Sequence, residues 1–170
     1  MQINWLIASL NRGHDRSQFD CGEPDLNEYL IRYARQNQDA GIARTFVAAN
    51  KTCPERVLAY YSLSVGSIDK TNLPINIAKR LPRFPIPIVR LARLAVDRSA
   101  QGLGLGEDML LDALQRCLRV ESEVGILAVL VDAKHERARA FYERYEFETL
   151  PDQPLTLWLP VSAIRKLFAE

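Results

Sequence analysis

The sequence is poor in residues that cross-link a chain or hold a metal. It has three cysteines, Cys21, Cys53 and Cys117, without CxxC spacing, and two histidines, His14 and His135. An odd number of scattered thiols is not a disulfide framework, and two isolated imidazoles fall short of a metal-binding cluster. We therefore expect no metal site and no structural disulfide, and interpret the cysteines as small, at least half-buried thiols.

Long apolar runs are also missing. Runs such as 126–131 fall far short of the ~20 residues that a membrane-spanning helix needs. The first residues, Met1-Gln2-Ile3-Asn4-Trp5, lack the basic start and apolar stretch of a signal peptide. These absences predict a cytoplasmic protein without a membrane anchor.

Charge of one sign is not in excess, because the net charge is only +1. The arginines are nevertheless clustered, whereas the acidic residues are spread: the clusters are Arg32 and Arg35; Arg80, Arg83, Arg90, Arg93 and Arg98; and Arg137, Arg139 and Arg144. Such clusters allow a basic face that attracts phosphate groups. The alternative, arginines solvated or ion-paired on separate surfaces, stays open.

With 48% hydrophobic and 25% charged residues in 170, the composition is that of a globular protein. We expect a single domain over residues 1–170, large enough to bury a core without cross-links. The hydrophobic pattern predicts strands at 3–10, 45–49, 57–67, 88–96, 126–132 and 155–159, and helices after Pro24, at 75–81, 106–120, 136–145 and 161–168. The prolines at 82, 85 and 87 are expected to prevent regular structure. The fold class is α+β (mixed α/β), with a central mixed sheet flanked by helices.

The glycine-rich loop Gln101-Gly102-Leu103-Gly104-Leu105-Gly106 lies between a predicted strand and a predicted helix. Glycines let the backbone approach a ligand closely, and the first amides of a helix point at an anion placed there. This arrangement predicts a phosphate-binding site. A purely structural glycine turn is the alternative.

The spacing of the loop discriminates between cofactors. A dinucleotide fingerprint requires glycine at 107 or 109, where Glu107 and Met109 stand, and no Gly-Lys-Ser/Thr tripeptide occurs. The pattern Gln-x-x-Gly-x-Gly instead resembles the pyrophosphate-binding motif of GNAT acetyltransferases. That resemblance implies acetyl-CoA as co-substrate and no metal.

A second segment also resembles this family. The run 126–133 is followed by the helical segment 138–147, which contains the pair Phe141-Tyr142. In GNAT proteins this strand and helix flank the thiol end of the cofactor. The family commonly has Gly-Phe where this chain has Glu146-Phe147, which puts the geometry of the helix end in question.

The resemblance extends along the whole chain to one GNAT branch, the toxins that acetylate the amino group of aminoacyl-tRNA. The segments that carry it are 19–22, 26–30, 44–47, 60–63, 81–85 and 93–97, together with the Leu-Pro pairs at 150–151 and 159–160. The resemblance implies a GNAT fold whose sheet is splayed between the strands 88–96 and 126–132, with pantetheine in the cleft. It also implies a homodimer and an antitoxin partner of the ribbon-helix-helix kind.

Candidate roles follow from these matches. In this chemistry the amine attacks the thioester directly, so no protein nucleophile is needed, and none of the usual nucleophile arrangements is found. Tyr142 is the candidate general acid for the leaving thiolate, because a phenol stays protonated at neutral pH. A core aromatic on an amphipathic helix is the alternative. The cofactor-binding candidates are Leu94, Ala95, Val96, Gln101, Gly102, Leu103, Gly104, Leu105, Gly106, Asp132, Ala138 and Phe141.

The candidates for binding charged tRNA are Arg44, Arg83, Arg90 and Arg93. Strict alternation puts Arg90 and Arg93 on opposite faces of their strand unless a bulge intervenes. Two other functions remain open at this point. One is a GNAT enzyme that acetylates a small amine or a protein N-terminus, and the other is a non-enzymatic module that binds acyl-CoA or a partner.

Overall fold

Secondary structure in the computed structural model, which describes residues 4–169, follows the predicted order with one additional strand. The strands are β1 (Trp5–Ser9), β2 (Arg44–Asn50), β3 (Ala59–Ile68), β4 (Ile86–Val96), β5 (Ala128–Asp132), β6 (Glu148–Leu150) and β7 (Gln153–Pro160). The α-helices are α1 (Pro24–Glu28), α2 (Ala34–Asp39), α3 (Ile75–Ala78), α4 (Leu105–Glu123), α5 (Glu136–Glu143) and α6 (Val161–Leu167). A π-helical turn, Tyr29–Tyr33, joins α1 to α2.

The seven strands form one mixed sheet in the order β1-β2-β3-β4-β5-β7-β6. The pairs β1–β2, β2–β3, β5–β7 and β6–β7 are antiparallel, whereas β4 and β5 are parallel. The parallel ladder covers only Ile88–Leu91 and Ala128–Val131, although β4 runs on to Val96. This confirms the predicted mixed α/β fold class.

The described residues group into two compact units. The first comprises residues 4–64 and 92–113. Its core contains Leu10, Phe19, Tyr29, Leu30, Ala34, Val47, Val57, Tyr60 and Ala95. In the helical segment predicted after Pro24, Tyr29 and Leu30 are buried but Tyr33 is exposed, although spacings of three and four residues would place all three on one face of a regular helix. The π-helical turn explains the difference, since its wider winding moves later residues off the face that a regular helix would keep.

The second unit comprises residues 65–91 and 114–169. Its core contains Ile68, Leu73, Ile86, Ile88, Ala128, Leu130, Leu150 and Trp158. The first four residues of β5 are all buried, as expected of a strand covered on both faces. The prediction of one domain over residues 1–170 stays a prediction.

Two local predictions were wrong. Pro87 does not prevent regular structure, because it lies near the start of β4 and its carbonyl accepts the Leu127 amide at 2.9 Å. A strand tolerates proline near its beginning, where the missing N–H is not needed. The three-residue strand β6 was missed, because it is too short for a hydrophobic period and its pairing with β7 is irregular at Thr149/Leu150.

Candidate functional site

The glycine-rich loop adopts a backbone conformation that favours glycine. Gly102 and Gly104 have φ values of 78° and 85°, in the left-handed region. A Cβ added at either residue would meet nothing within 4 Å, so the space beside them is open. Glycine is therefore required here for the turn rather than for close packing.

The loop leads directly into α4. Leu105, the first residue of α4, is buried, whereas Leu103 in the turn is 51% exposed. The first hydrogen bond of this helix runs from the Asp108 amide to the Gly104 carbonyl at 3.1 Å. The preceding amides, up to Glu107, have no acceptor within the helix and carry the positive end of its dipole. Gly106 lies among them, so the first turn offers its backbone to an anion.

The Gln101 side chain anchors the glycine-rich loop by two hydrogen bonds to backbone carbonyls. Its side-chain amide donates to the Val96 carbonyl at 2.8 Å and to the Cys21 carbonyl at 3.1 Å. A carboxylate could not make these two bonds, because it has no N–H to donate. The leading glutamine of the motif thus ties the loop to the end of β4 and to the segment 19–22.

Asp97 holds the turn that joins β4 to the glycine-rich loop, a role that no sequence motif had indicated. Its buried carboxylate accepts the Asp20 amide at 2.9 Å and the Ser99 amide and hydroxyl at 3.0 and 2.7 Å. Burial alone would raise the pKa of Asp97, but these hydrogen bonds outweigh it and hold the pKa below its ordinary value. The Arg98 amide donates back to the Asp20 carbonyl at 2.9 Å. An acid directly after a strand and two residues before a serine is the signal that would have indicated this turn.

α4 is also fixed to the sheet by a partly buried hydrogen bond that the sequence did not reveal. The Tyr61 hydroxyl on β3 donates to the Asp112 carboxylate on α4 at 2.5 Å. The Tyr61 ring stacks on Phe46 with centroids 5.2 Å apart. Because α4 carries the loop amides at its N-terminus, this bond constrains the direction in which they point.

The predicted residues at the end of β4 differ in exposure. Ala95 is buried in the first unit's core, whereas Leu94 and Val96 are half-buried. The carbonyl of Val96 is one of the two acceptors for Gln101. Leu94 and Val96 therefore keep side-chain surface that a ligand can contact.

Tyr142 lies on α5 in an aromatic environment and is 8% exposed. Its ring contacts Phe141 and Phe147, with centroids 5.2 and 5.5 Å away, both edge to face. Burial raises the pKa of Tyr142 well above its usual range, so the phenol keeps its proton at neutral pH. The buried, protonated phenol agrees with Tyr142 as a proton or hydrogen-bond donor. It agrees equally well with the alternative that Tyr142 is a core aromatic residue.

The start of α5 is capped by His135, whose Nδ1 accepts the Ala138 amide at 3.2 Å. Ala138 and Phe141, both predicted to contact the cofactor, are half-buried on this helix. At the other end Glu146 has a φ of 69°. The chain therefore keeps the left-handed helix end that the family commonly builds with glycine, at a strain of about 1–2 kcal/mol for a side-chain-bearing residue.

Arg90, predicted to bind RNA, and Asp132, predicted to bind the cofactor, form an ion pair with each other. The Arg90 guanidinium donates to the Asp132 carboxylate, whose other oxygen accepts the Thr156 hydroxyl at 3.0 Å. The ion pair with Asp132 therefore offsets much of the positive charge of Arg90.

Arg93 has a different environment from Arg90. Its guanidinium carbon lies 3.6 Å from the centre of the Tyr29 ring, on the π-helical turn. Within residues 4–169 Arg93 forms no ion pair. A guanidinium stacked on an aromatic face keeps its N–H groups directed outward in its own plane, where they can bind a phosphate.

Arg44 and Arg83 are both exposed. Arg44 opens β2 opposite Leu63, and Arg83 lies in the proline-rich loop before β4. Neither makes an ion pair in the part of the chain that the structure describes. Arg44 and Arg93 belong to the first unit, Arg83 and Arg90 to the second.

Neither a metal-binding cluster nor a membrane-spanning helix is found within residues 4–169. No three His, Cys, Asp or Glu side chains among residues 4–169 are grouped so that they could hold a metal ion. None of the helices there has the length and apolar character needed to cross a bilayer.

The chain is similar to known proteins over most of its length. The family described as acetyltransferase (GNAT) domain matches residues 41–149. A protein of Mycobacterium tuberculosis named tRNA-acetylating toxin is 40% identical over 157 residues, which cover 92% of each chain. A protein of Sinorhizobium fredii named probable toxin TacT is 30% identical over 162 residues, covering 91% of this chain and 89% of the relative.

Solved structures are similar over nearly the full length. A tyrosine-to-phenylalanine variant of KacT has a TM-score of 0.92 at 32% identity, covering 98% of this chain and 100% of the other. AtaT complexed with acetyl-methionyl-tRNAfMet has a TM-score of 0.90 at 31% identity, covering 97% and 99%. A tyrosine-to-phenylalanine variant of AtaT bound to the C-terminus of the antitoxin AtaR and acetyl-CoA has a TM-score of 0.83 at 28% identity, covering 98% and 99%.

Proposed function

The chain belongs to the GNAT acetyltransferase family, and from this we propose that it transfers the acetyl group of acetyl-CoA to the amino group of an aminoacyl-tRNA and thereby blocks translation. One observation carries the proposal. The chain matches AtaT, solved with acetyl-methionyl-tRNAfMet, over 97% of its length. The 40% identity to a tRNA-acetylating toxin supports the same activity.

We propose that the loop Gln101–Gly106 binds the pyrophosphate of acetyl-CoA. The open left-handed glycines and the first amides of α4 have the donor chemistry that a pyrophosphate needs. Leu94, Ala95 and Val96 on β4, Asp132 on β5, and Ala138 and Phe141 on α5 are the proposed contacts to the rest of the cofactor. When bound, acetyl-CoA supplies an activated thioester that an amine attacks directly.

The protein's own part in the chemistry is small. An α-amino group has a pKa of roughly 7.7–8.0, so a fraction is already neutral at pH 7 and no dedicated base is required. The leaving sulfur must be stabilised as a thiolate. Because a thiol titrates near 8.5 and burial lifts the pKa of Tyr142 far higher, complete proton transfer from Tyr142 would be unfavourable. We infer that Tyr142 donates a hydrogen bond to the sulfur, and that the proton follows from water.

For the RNA, Arg93 is the best-prepared candidate. Its stacking on Tyr29 restricts the guanidinium while leaving its donors unpaired by any acid within residues 4–169. Arg44 and Arg83 are exposed cations that can add phosphate contacts. Arg90 is kept as a candidate, although its charge is shared with Asp132.

The test offers acetyl-CoA together with a full set of charged tRNAs and, separately, with free amino acids. We expect acetylated aminoacyl-tRNA, detected by mass spectrometry of the released aminoacyl group, and little acetylation of free amino acids. Comparable efficiency with free amino acids would instead favour a GNAT enzyme for small amines. No thioester cleavage with any acceptor would leave only a binding module.

We also propose an antitoxin partner of the ribbon-helix-helix kind, a homodimer, and action in the cytoplasm, where charged tRNA is found. AtaT has been solved with the C-terminus of its antitoxin, which supports an antitoxin partner, whereas the ribbon-helix-helix kind rests on the family resemblance. The homodimer rests on the family resemblance alone. Light scattering of the purified chain tests it.

A further inference from the structure

One long stretch of the chain carries positive charge only. From Lys70 to Val96 it has six basic residues, namely Lys70, Lys79, Arg80, Arg83, Arg90 and Arg93, and no aspartate or glutamate. Two of the six have side-chain partners, since Arg90 pairs with Asp132 and Arg93 lies on Tyr29. The other four lie between β3 and β4, and we call them the basic ledge: Lys70, Lys79, Arg80 and Arg83.

The structure brings the members of the ledge together. Lys70 and Lys79 line the same hollow, of about 360 Å³, whose walls are otherwise formed largely by apolar side chains of the α3 region. The Lys70 ammonium lies 3.4 Å from the Leu81 carbonyl, next in sequence to Arg80. Arg83 is three residues beyond Arg80, which is at most about 11 Å along an extended chain.

Most of the charge of the basic ledge is not neutralised locally. None of its four members forms an ion pair within residues 4–169, and Lys79, Arg80 and Arg83 are exposed. The nearest acid in sequence is Asp69, whose pKa is lowered by two hydrogen bonds from Thr71 and by the charge of Lys70, so it offsets part of the charge of Lys70 alone among the four. Four cations beside one carboxylate form a surface that attracts a polyanion.

We propose that the basic ledge binds the phosphodiester backbone of the substrate tRNA, an inference that rests on the proposed function. Ammonium and guanidinium groups are the usual protein partners of phosphate oxygens, and each contact releases a counterion from the RNA. Phe84, 74% exposed beside Arg83, offers a ring on which a base can stack. A tRNA is long enough to make such contacts in addition to those at its reacting end.

The experiment compares two double variants that remove the same charge. Lys79→Gln/Arg80→Gln changes the ledge, and Arg119→Gln/Lys166→Gln removes an exposed arginine and lysine from α4 and α6. Binding to purified tRNA is measured by filter retention between roughly 50 and 250 mM KCl. For the ledge variant we expect the log–log salt slope to become shallower by about 0.7–0.9 for each phosphate that the protein no longer neutralises, and affinity at 0.1 M salt to fall about five- to eightfold for each. The control pair is expected to match the parent.

A ledge variant whose salt slope equals that of the parent would overturn the inference. So would one that retains tRNA binding but loses binding to a polyglutamate peptide, because the ledge would then be a site for an acidic protein segment. Acetyl-CoA binding and circular dichroism confirm that each variant is folded. Should the double variant unfold, Arg80→Gln and Arg83→Gln are measured singly, with about half the slope change expected.

A separate assay tests the proposed function independently of the basic ledge. Acetyl transfer to charged tRNA is measured with the parent protein alone. A parent that binds tRNA but acetylates no aminoacyl group refutes the proposed function, while the ledge is still judged by its salt slope. A parent without measurable tRNA affinity refutes both.

Discussion

Gly104 allows the proposed pyrophosphate site to be separated from the stability of its turn. Gly104 has a φ of 85° with open space beside it, and Gly41 has a φ of 75° with equally open space. Any side chain at either position meets the same left-handed strain, about 1–2 kcal/mol. For a chain of this length that corresponds to a fall in Tm of about 2–8 °C. Alanine and glutamate at the two positions therefore form a matched set of four variants.

Only Gly104→Glu places a negative charge where a pyrophosphate is proposed to bind. A carboxylate about 5 Å from that anion repels it by about 1–3 kcal/mol for an effective dielectric constant of roughly 80 to 20. Since 1.4 kcal/mol is tenfold in affinity, the Kd for acetyl-CoA should rise about 5- to 150-fold. Gly104→Ala, which adds strain without charge, should bind within a few fold of the parent.

Isothermal titration calorimetry with acetyl-CoA and thermal melting of all four variants provide the measurements. Gly41→Glu should show the loss in Tm and keep the parent's affinity. If Gly104→Glu is folded and binds acetyl-CoA as the parent does, the pyrophosphate does not bind at this loop. If Gly104→Ala loses affinity to the same extent, strain rather than charge is responsible, and the inference that this loop binds the pyrophosphate is not supported by the charge effect; if Gly41→Glu does so, the loss is not specific to the loop and the inference fails.

Three further predictions concern α5 and the turn before the loop. Tyr142→Phe should keep the fold and acetyl-CoA affinity while turnover falls roughly 10²–10³-fold, the usual cost of removing one hydrogen-bond donor to a developing negative charge. Full turnover in a stable variant would contradict this role, and unfolding would favour the core aromatic. Glu146→Gly should raise the free energy of unfolding by about 1 kcal/mol in urea titrations, since it removes left-handed strain; no gain would mean that the side chain compensates. Asp97→Asn should destabilise by about 1–3 kcal/mol, because the amides of Asp20 and Ser99 lose a charged acceptor. Because the pKa of Asp97 is lower in the folded than in the unfolded state, its charged form stabilises the fold above the unfolded-state pKa, and this stability is lost as pH falls through the folded-state pKa. The Tm of Asp97→Asn should therefore vary less with pH below about 4 than the Tm of the parent. An acid profile like that of the parent would exclude Asp97 as the titrating group.

The sequence alone determined the features that depend on neighbours along the chain. The loop from Gln101 to Gly106 follows a strand and precedes a helix in the structure, as predicted, because glycine, hydrophobic period and helix start are local signals. The buried strand β5 was recognised for the same reason. The Phe141-Tyr142 pair lies on α5 as expected, although its catalytic role stays a prediction.

The tertiary structure alone decided which charges are available. Strand alternation indicated that Arg90 and Arg93 differ, but not that one pairs with a carboxylate 42 residues away while the other stacks on a tyrosine. The bonds from Asp20 to Asp97 and from Tyr61 to Asp112 join residues 77 and 51 positions apart. No local pattern contains such pairs, because they arise only when the sheet brings distant segments together. Residue type and spacing can therefore indicate a site, whereas the partners that tune each of its side chains are set by the fold.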